Sequence, residues 1–312
     1  MTIRDKTIRI AIAGFGRIAR DQHIPAIAAD SRFTLAAVTS RSGDPQVGVP
    51  SFPDLSAMLA EMSGQVDAVA ICTPPSVRYA IACQAIDAGL AVLLEKPPSV
   101  TLGEIVEIER RARAAGTALY AGWHSQHAPG VEEARQALVG QDVTHFHIAW
   151  CEDVRKWHPG QAWIWQPGGF GVFDPGINAL SIASRIMPCP LLVTEARLLV
   201  PANRQMPIAA RLVFAGSNRT AEFDWRVTGG EQWSITVSTA AGATIELHDG
   251  GAKLSIDGMP RQTAPHREYP SIYARFAELC GQKAVEVDAE PMRIAADAFL
   301  AGYREMVDAF DD

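Results

Sequence analysis

The first 120 residues alternate short, nearly unbroken apolar runs with stretches in which apolar residues recur every three or four positions. Unbroken runs suit strands covered on both faces, so the alternation predicts a parallel sheet wrapped by helices. Four strands are expected: Ile8–Ala13, Phe33–Thr39, Ala68–Cys72 and Ala91–Leu94. Pro74-Pro75 ahead and Gly89 behind bracket a crossover helix over Ser76–Ala88, because proline suits a helix start and glycine a helix stop. Thr101 with Glu104 predicts a capping box opening a helix that carries Leu102, Ile105, Ile108 and Ala112 on one face. Pro25 breaks the pattern where a first helix is due, since proline removes an N–H and crowds the preceding turn.

From about Val143 the period drops toward two, in His145–His147, Arg211–Phe214, Thr220–Val227, Trp233–Ser238 and Thr244–His248, with glycine between several of them. That pattern predicts a mostly antiparallel sheet. A helix over Pro175–Met187 interrupts it, with Ile177, Leu180, Ser184 and Met187 on one face and Pro188 as its stop. Two more helices are expected, Ser271–Cys280 and Met292–Phe310, the second with a stripe of Ala295, Phe299, Gly302, Met306 and Phe310. The fold class expected is α/β, an N-terminal Rossmann doubly wound parallel sheet followed by a C-terminal α+β domain with a mostly antiparallel open sheet. One boundary near residue 121 gives domains 1–121 and 122–312, with the C-terminal helix able to pack back on the first.

A length of 312 residues suits two domains, and 48% apolar with 20% charged residues is ordinary for globular chains. A formal charge of −7 supplies no basic face for nucleic acid or an anionic membrane. The five cysteines (Cys72, Cys83, Cys151, Cys189, Cys280) contain no CxxC pair, which speaks for reduced thiols in the cytoplasm and against a disulfide framework or thiolate metal site. The first apolar run, Ile8–Ala13, is far too short to span a bilayer and ends in glycine rather than a cleavage site.

That run leads straight into Gly14-Phe15-Gly16-Arg17-Ile18-Ala19, a GxGxxA dinucleotide fingerprint in the strand-to-helix setting that gives it meaning. Gly14 allows the tight turn, Gly16 lets N–H groups approach a pyrophosphate, and Ala19 permits close packing, with Arg17 and Ile18 carried in the same loop. The second strand ends in Thr39-Ser40-Arg41 where NAD enzymes usually place a carboxylate. A hydroxyl beside a guanidinium suits a 2′-phosphate, so NADP is expected to be preferred and NAD tolerated. Thr73-Pro74 closes the third strand and Glu95-Lys96-Pro97 the fourth. All four strand ends lie on the carboxyl edge, where ligands bind, so Lys96 is expected toward the nicotinamide.

At these residues the chain resembles the glucose–fructose oxidoreductase, inositol dehydrogenase and rhizopine catabolism (Gfo/Idh/MocA) family. Further matching strings are Gly16–His23, Glu95–Pro98, Trp123–Ser125, Glu152–Gly160, Phe173–Ala179 and Ala221–Trp225, so the likeness spans the chain. It is nearest to bacterial enzymes that oxidise the anomeric carbon of L-arabinose or D-galactose to the lactone. The resemblance implies Lys96 and Asp174 as catalytic groups, with Asn178, His124, Glu152, Trp157, His158 and Trp233 around the sugar. It also implies a homodimer paired through the free face of the open sheet.

Removing the anomeric O–H proton while hydride leaves carbon needs a basic group. A lysine serves if burial beside a cationic ring lowers its pKa, and a nearby carboxylate opposes that shift, so the choice between Lys96 and Asp174 stays open. Asp174 ahead of Pro175 also reads as the N-cap and first position of a helix. Asn178, four residues on, shares its face, but where the family commonly has histidine this chain has an amide that cannot titrate. Of seven tryptophans, Trp163, Trp165 and Trp225 suit core packing. His124 with His127, and His145 with His147, lack a completing ligand, and no metal is expected. Another hexose, an inositol or a deoxy sugar, or a sensor that binds without turnover, are the alternative readings.

Overall fold

In the computed structural model, which describes residues 7–41, 43 and 46–311, the apolar runs of the first third become strands at the expected places. In chain order come β1 (Ile8–Ala13), a wide π turn (Ala19–His23) leading into α1 (Ile24–Ala29), β2 (Phe33–Thr39), β3 (Ser51–Phe52), α2 (Leu55–Glu61) and β4 (Ala68–Ile71). Then follow α3 (Pro75–Asp87), β5 (Ala91–Glu95), α4 (Leu102–Ala115) and β6 (Leu119–Gly122). The next stretch holds α5 (Val131–Leu138), β7 (Val143–Cys151), α6 (Val154–Trp157), α7 (Phe173–Ile186), β8 (Val193–Pro201), β9 (Ala209–Phe214) and β10 (Arg219–Asp224). It continues with β11 (Gln232–Thr239), β12 (Thr244–His248), β13 (Lys253–Ile256) and β14 (Met259–Pro260). The chain closes with α8 (Glu268–Gln282), β15 (Val285–Glu286), α9 (Glu290–Ala301) and β16 (Gly302–Val307).

Two compact units result, residues 1–124 with 269–289, and residues 125–268 with 290–312. Each unit is made of two separate stretches of the chain. In the first unit seven strands run parallel in the order β15-β6-β5-β4-β1-β2-β3. Alternate residues serve opposite faces. Ala11, Ala13, Val69, Ile71, Val92 and Leu94 pack toward Met58, Cys83, Ile86 and Ile108 of α2, α3 and α4. Ile10, Ile12, Ala68, Ala70 and Leu93 pack toward Ile27 of α1 and Tyr269, Ile272, Tyr273 and Phe276 of α8. The expected doubly wound sheet is therefore present, with its second face closed by a helix from late in the chain. Thr101 and Glu104 form the capping box of α4, and Gly116 ends that helix in a left-handed conformation.

The second unit is a nine-stranded sheet, β14-β13-β12-β11-β7-β10-β9-β8-β16, antiparallel except where β10 meets β7 and β16 meets β8. Helices α5, α7 and α9 pack together beside it, and α7 is buried along most of its length. The long helix expected over Met292–Phe310 is corrected: α9 ends at Ala301 and the chain becomes an edge strand along β8. Gly302 marks the break, because a Cβ there would stand 2.3 Å from the Ala298 carbonyl oxygen. Tyr303 and Met306, 71% and 78% exposed, lie outside any core, whereas Phe310, past the strand, is half-buried against the Trp165 ring at 5.9 Å. No helix among the described residues is long and apolar enough to cross a membrane.

Candidate active site

In the first unit, the parallel register of β1, β2, β4 and β5 gathers their carboxyl ends on one edge. Gly14 adopts φ +91°, and a Cβ there would fall 2.7 Å from the Thr73 side chain and 2.9 Å from its nitrogen. A Cβ at Gly16 would meet nothing within 4 Å, which leaves room for a ligand against the main chain. The Gly14 N–H donates to the carbonyl and hydroxyl of Thr39, both at 3.2 Å, stitching the loop to the end of β2. Ile18 is 37% exposed beside that loop, and Arg17 is exposed with Asp21 at 3.4 Å. Ser40 donates its N–H to Phe52 at 2.9 Å, and Arg41 stands exposed one residue on. Thr73 contributes a buried hydroxyl without a hydrogen-bond partner, and half-buried Pro74 is the N-cap residue ahead of α3. A glycine turn, an open main-chain approach and an orphan hydroxyl on one edge are the features a nicotinamide dinucleotide needs. Gly14, Gly16, Ser40, Arg41 and Thr73 are placed where they could hold one.

The end of β5 is braced from within. Glu95 is buried, and its Oε1 accepts from His23 Nε2 at 2.9 Å and from the Tyr269 hydroxyl at 2.7 Å. Oε2 accepts from the Lys96 main-chain N–H at 3.0 Å. Burial pushes the Glu95 carboxyl up, but His23, His124 and Tyr269 outweigh it and bring it down to about 2. Lys96 itself is half-buried. His124 belongs to this unit and stacks on Tyr269 with ring centroids 5.7 Å apart.

Arg78, 3% exposed, was not singled out in the sequence. Its guanidinium donates to the carbonyls of Thr73, Glu95 and Pro97 and so ties the two loops that follow β4 and β5. The signal was present: position 78 falls on the α3 stripe of Pro75, Ala82, Ala85 and Ile86, where an arginine is out of place unless it has buried acceptors.

The second unit brings another set together. Asp174 was expected to cap a helix at its first residue, but α7 begins earlier, at Phe173, and Asp174 lies within its first turn. Phe170 and Gly171 take positive φ and already supply acceptors to Phe173 and Asp174, so the helix needs no side-chain cap there. Asn178 follows one turn later, half-buried. Asp174 and Glu152 are each 5% exposed. The His158 ring stands between them, Nε2 3.8 Å from Glu152 and Nδ1 3.8 Å from Asp174. Trp233 donates its indole N–H to Glu152 at 2.8 Å and meets the Trp157 ring edge-on at 5.5 Å. Trp157, at 37% exposure, gives its own N–H to Glu231. Trp165 and Trp225 pack in the core as expected, whereas Trp163 is only half-buried.

A glycine-turned parallel sheet with this carboxyl edge is the architecture of a dinucleotide-binding domain. Residues 8–123 match the model of an oxidoreductase family with an NAD-binding Rossmann fold, GFO_IDH_MocA. The chain is 46% identical to galactose 1-dehydrogenase of Pseudomonas fluorescens over 308 residues, covering 98% of this chain and 99% of that one. It superposes on the crystal structure of D-galactose-1-dehydrogenase from Rhizobium etli with a TM-score of 0.92 and 48% identity, over 98% of each chain. A 3-ketoreductase from Actinomadura kijaniata, solved with NADP and TDP-benzene, shares the fold at a TM-score of 0.81 and 16% identity, over 97% and 100%. The chain belongs to the Gfo/Idh/MocA oxidoreductase family.

Proposed function

We propose that this protein is an aldose 1-dehydrogenase that oxidises the anomeric carbon of L-arabinose, D-galactose or a close relative to the lactone. The likeness to two galactose dehydrogenases over nearly the whole chain carries the reading. The cofactor, when bound, supplies the hydride acceptor at nicotinamide C4. Thr39-Ser40-Arg41, with no carboxylate at the end of β2, favours NADP over NAD. Lys96, half-buried, and Asp174, buried, are the candidates for the anomeric proton. Glu152 and His158 offer polar partners for sugar hydroxyls, and Trp157 and Trp233 offer flat apolar faces for sugar C–H groups. His124 and Asn178 complete the proposed sugar-facing set. L-arabinopyranose lacks only the hydroxymethyl of galactose, so one site open at that carbon accepts both, with modest discrimination. We also place the protein in the cytoplasm as a homodimer.

The test is steady-state turnover of L-arabinose and D-galactose with NADP and with NAD, beside a panel of D-glucose, an inositol and a deoxy sugar. Lys96→Ala and Asp174→Asn are run in parallel, and the residue that takes the proton should lose about a hundredfold or more in kcat. Undiminished turnover in both variants would overturn the assignment. Tight NADP binding without turnover of any sugar would make the protein a sensor.

A further inference from the structure

The proposed function uses Lys96 and His124 and leaves unexplained the buried groups next to them, His23, Glu95, Tyr269 and Tyr273. Five separate elements of the first unit converge there. The π turn contributes His23, 1% exposed; the end of β4 contributes Cys72; β5 contributes Glu95; α8 contributes Tyr269 and Tyr273; the end of β6 contributes His124. His23 Nε2 donates to Glu95 Oε1 at 2.9 Å, and Nδ1 pairs with the Tyr273 hydroxyl at 2.8 Å, so both ring nitrogens are used. Tyr269 and Tyr273 meet the imidazole edge-on, with centroids 5.1 and 5.7 Å away.

A buried ion pair contributes little net stability compared with apolar side chains of the same volume, because both groups lose their water. Its effect is geometric. Each Glu95 oxygen has a donor, and one of those donors is the main-chain N–H of Lys96. A proline such as Pro25 crowds the carbonyl four residues earlier, and the wide π turn over Ala19–His23 gives that carbonyl room while turning His23 inward.

We propose that His23 is a positioning residue: through the Glu95 carboxylate it anchors the Lys96 main chain at the end of β5 and so sets where the Lys96 ammonium stands. The inference rests on the reading of Lys96 as a group that handles the anomeric proton. It has an electrostatic consequence as well. Burial pulls the imidazole pKa down, but Cys72, Tyr273 and Glu95 facing it prevail and hold it well above its ordinary 6.5. The positive ring therefore compensates Glu95. Without it, the Glu95 carboxylate would stand beside Lys96 with no compensating charge.

His23→Gln and Tyr269→Phe, each beside Lys96→Ala, test this. Glutamine keeps a donor but cannot carry charge, and the phenylalanine keeps the packing of α8 while removing one donor to Glu95. Both variants are expected to lose about tenfold in kcat, with sugar KM and NADP affinity held within about twofold. In His23→Gln the acid limb of the kcat profile should move up by about one pH unit or more. In the cofactor-free protein, amide exchange at Lys96 should quicken about tenfold in both variants while β1 and the second unit keep their protection. Native kcat and pH profile in both variants, with Lys96→Ala inactive, would overturn the positioning role. Unchanged Lys96 exchange in both would overturn the brace itself. A fully active Lys96→Ala enzyme would instead remove the reading on which the inference rests, and the exchange data would still report the brace. Should His23→Gln not fold, Tyr269→Phe decides through the same three readouts.

Discussion

Gly14 shows how much one residue can dictate. Its φ of +91° and the 2.7 Å approach of Thr73 to a would-be Cβ leave glycine as the residue that fits, and the reason is entirely local. Arg41 is the opposite case, an exposed side chain whose meaning lies in a ligand charge. Replacing Arg41 by Asp should invert the cofactor preference, lowering NADP affinity about tenfold or more while favouring the ribose 2′-hydroxyl of NAD. Fluorescence titration with both dinucleotides checks it, and equal NADP affinity in the variant would remove Arg41 from the site. His23 stood inside a matching string in the sequence yet carried no visible role. Its partners Glu95 and Tyr273 lie 72 and 250 residues away, a distance over which side-chain pairing leaves no spacing to read.

At the scale of elements, the sequence read most truly where a terminus is specified by its own side chains. Thr101 accepts from the Glu104 N–H, Glu104 accepts from the Thr101 N–H, and Gly116 ends the helix, so α4 sits where its caps put it. Thr101→Ala should lower stability by about 1 kcal/mol in chemical denaturation, with no change in sugar KM; a neutral result would mean the cap contributes nothing to the folded unit. The start of α7 and the end of α9 were read less well for one shared reason. In both, backbone geometry at a glycine-bearing turn decided the boundary, Phe170-Gly171 before α7 and Gly302 after α9. Edge strand β16 has no sequence pattern of its own, because its pairing with β8 is made by main-chain groups.

For the molecule as a whole, the outward face of the nine-stranded sheet has a physical consequence. A shallow depression there is lined by Arg197, Arg211, Arg226, Glu222, Asp224 and Glu305. Charges of both signs interleave across neighbouring strands, with Arg197 paired to Glu305 and Arg226 to Asp224 at 2.7 Å. A patch carrying both signs can complement its own copy across a two-fold axis, as an isologous interface requires. Sedimentation at micromolar concentration should give the mass of two chains, and Arg197→Glu with Arg211→Glu should shift it toward one. A native protein that sediments as a single chain would remove the dimer.

What the sequence determined by itself is whatever local chemistry specifies: the alternation of strands and helices, the capping box, and the glycine loop opening on the carboxyl edge. Period, cap and positive φ act within a few residues, so they are written in neighbouring letters. Only the tertiary structure decided which distant polar groups meet. Arg78 on three carbonyls, His23 on Glu95, and His158 between Glu152 and Asp174 are set by where whole elements pack, a property of the buried apolar faces rather than of the residues that meet there.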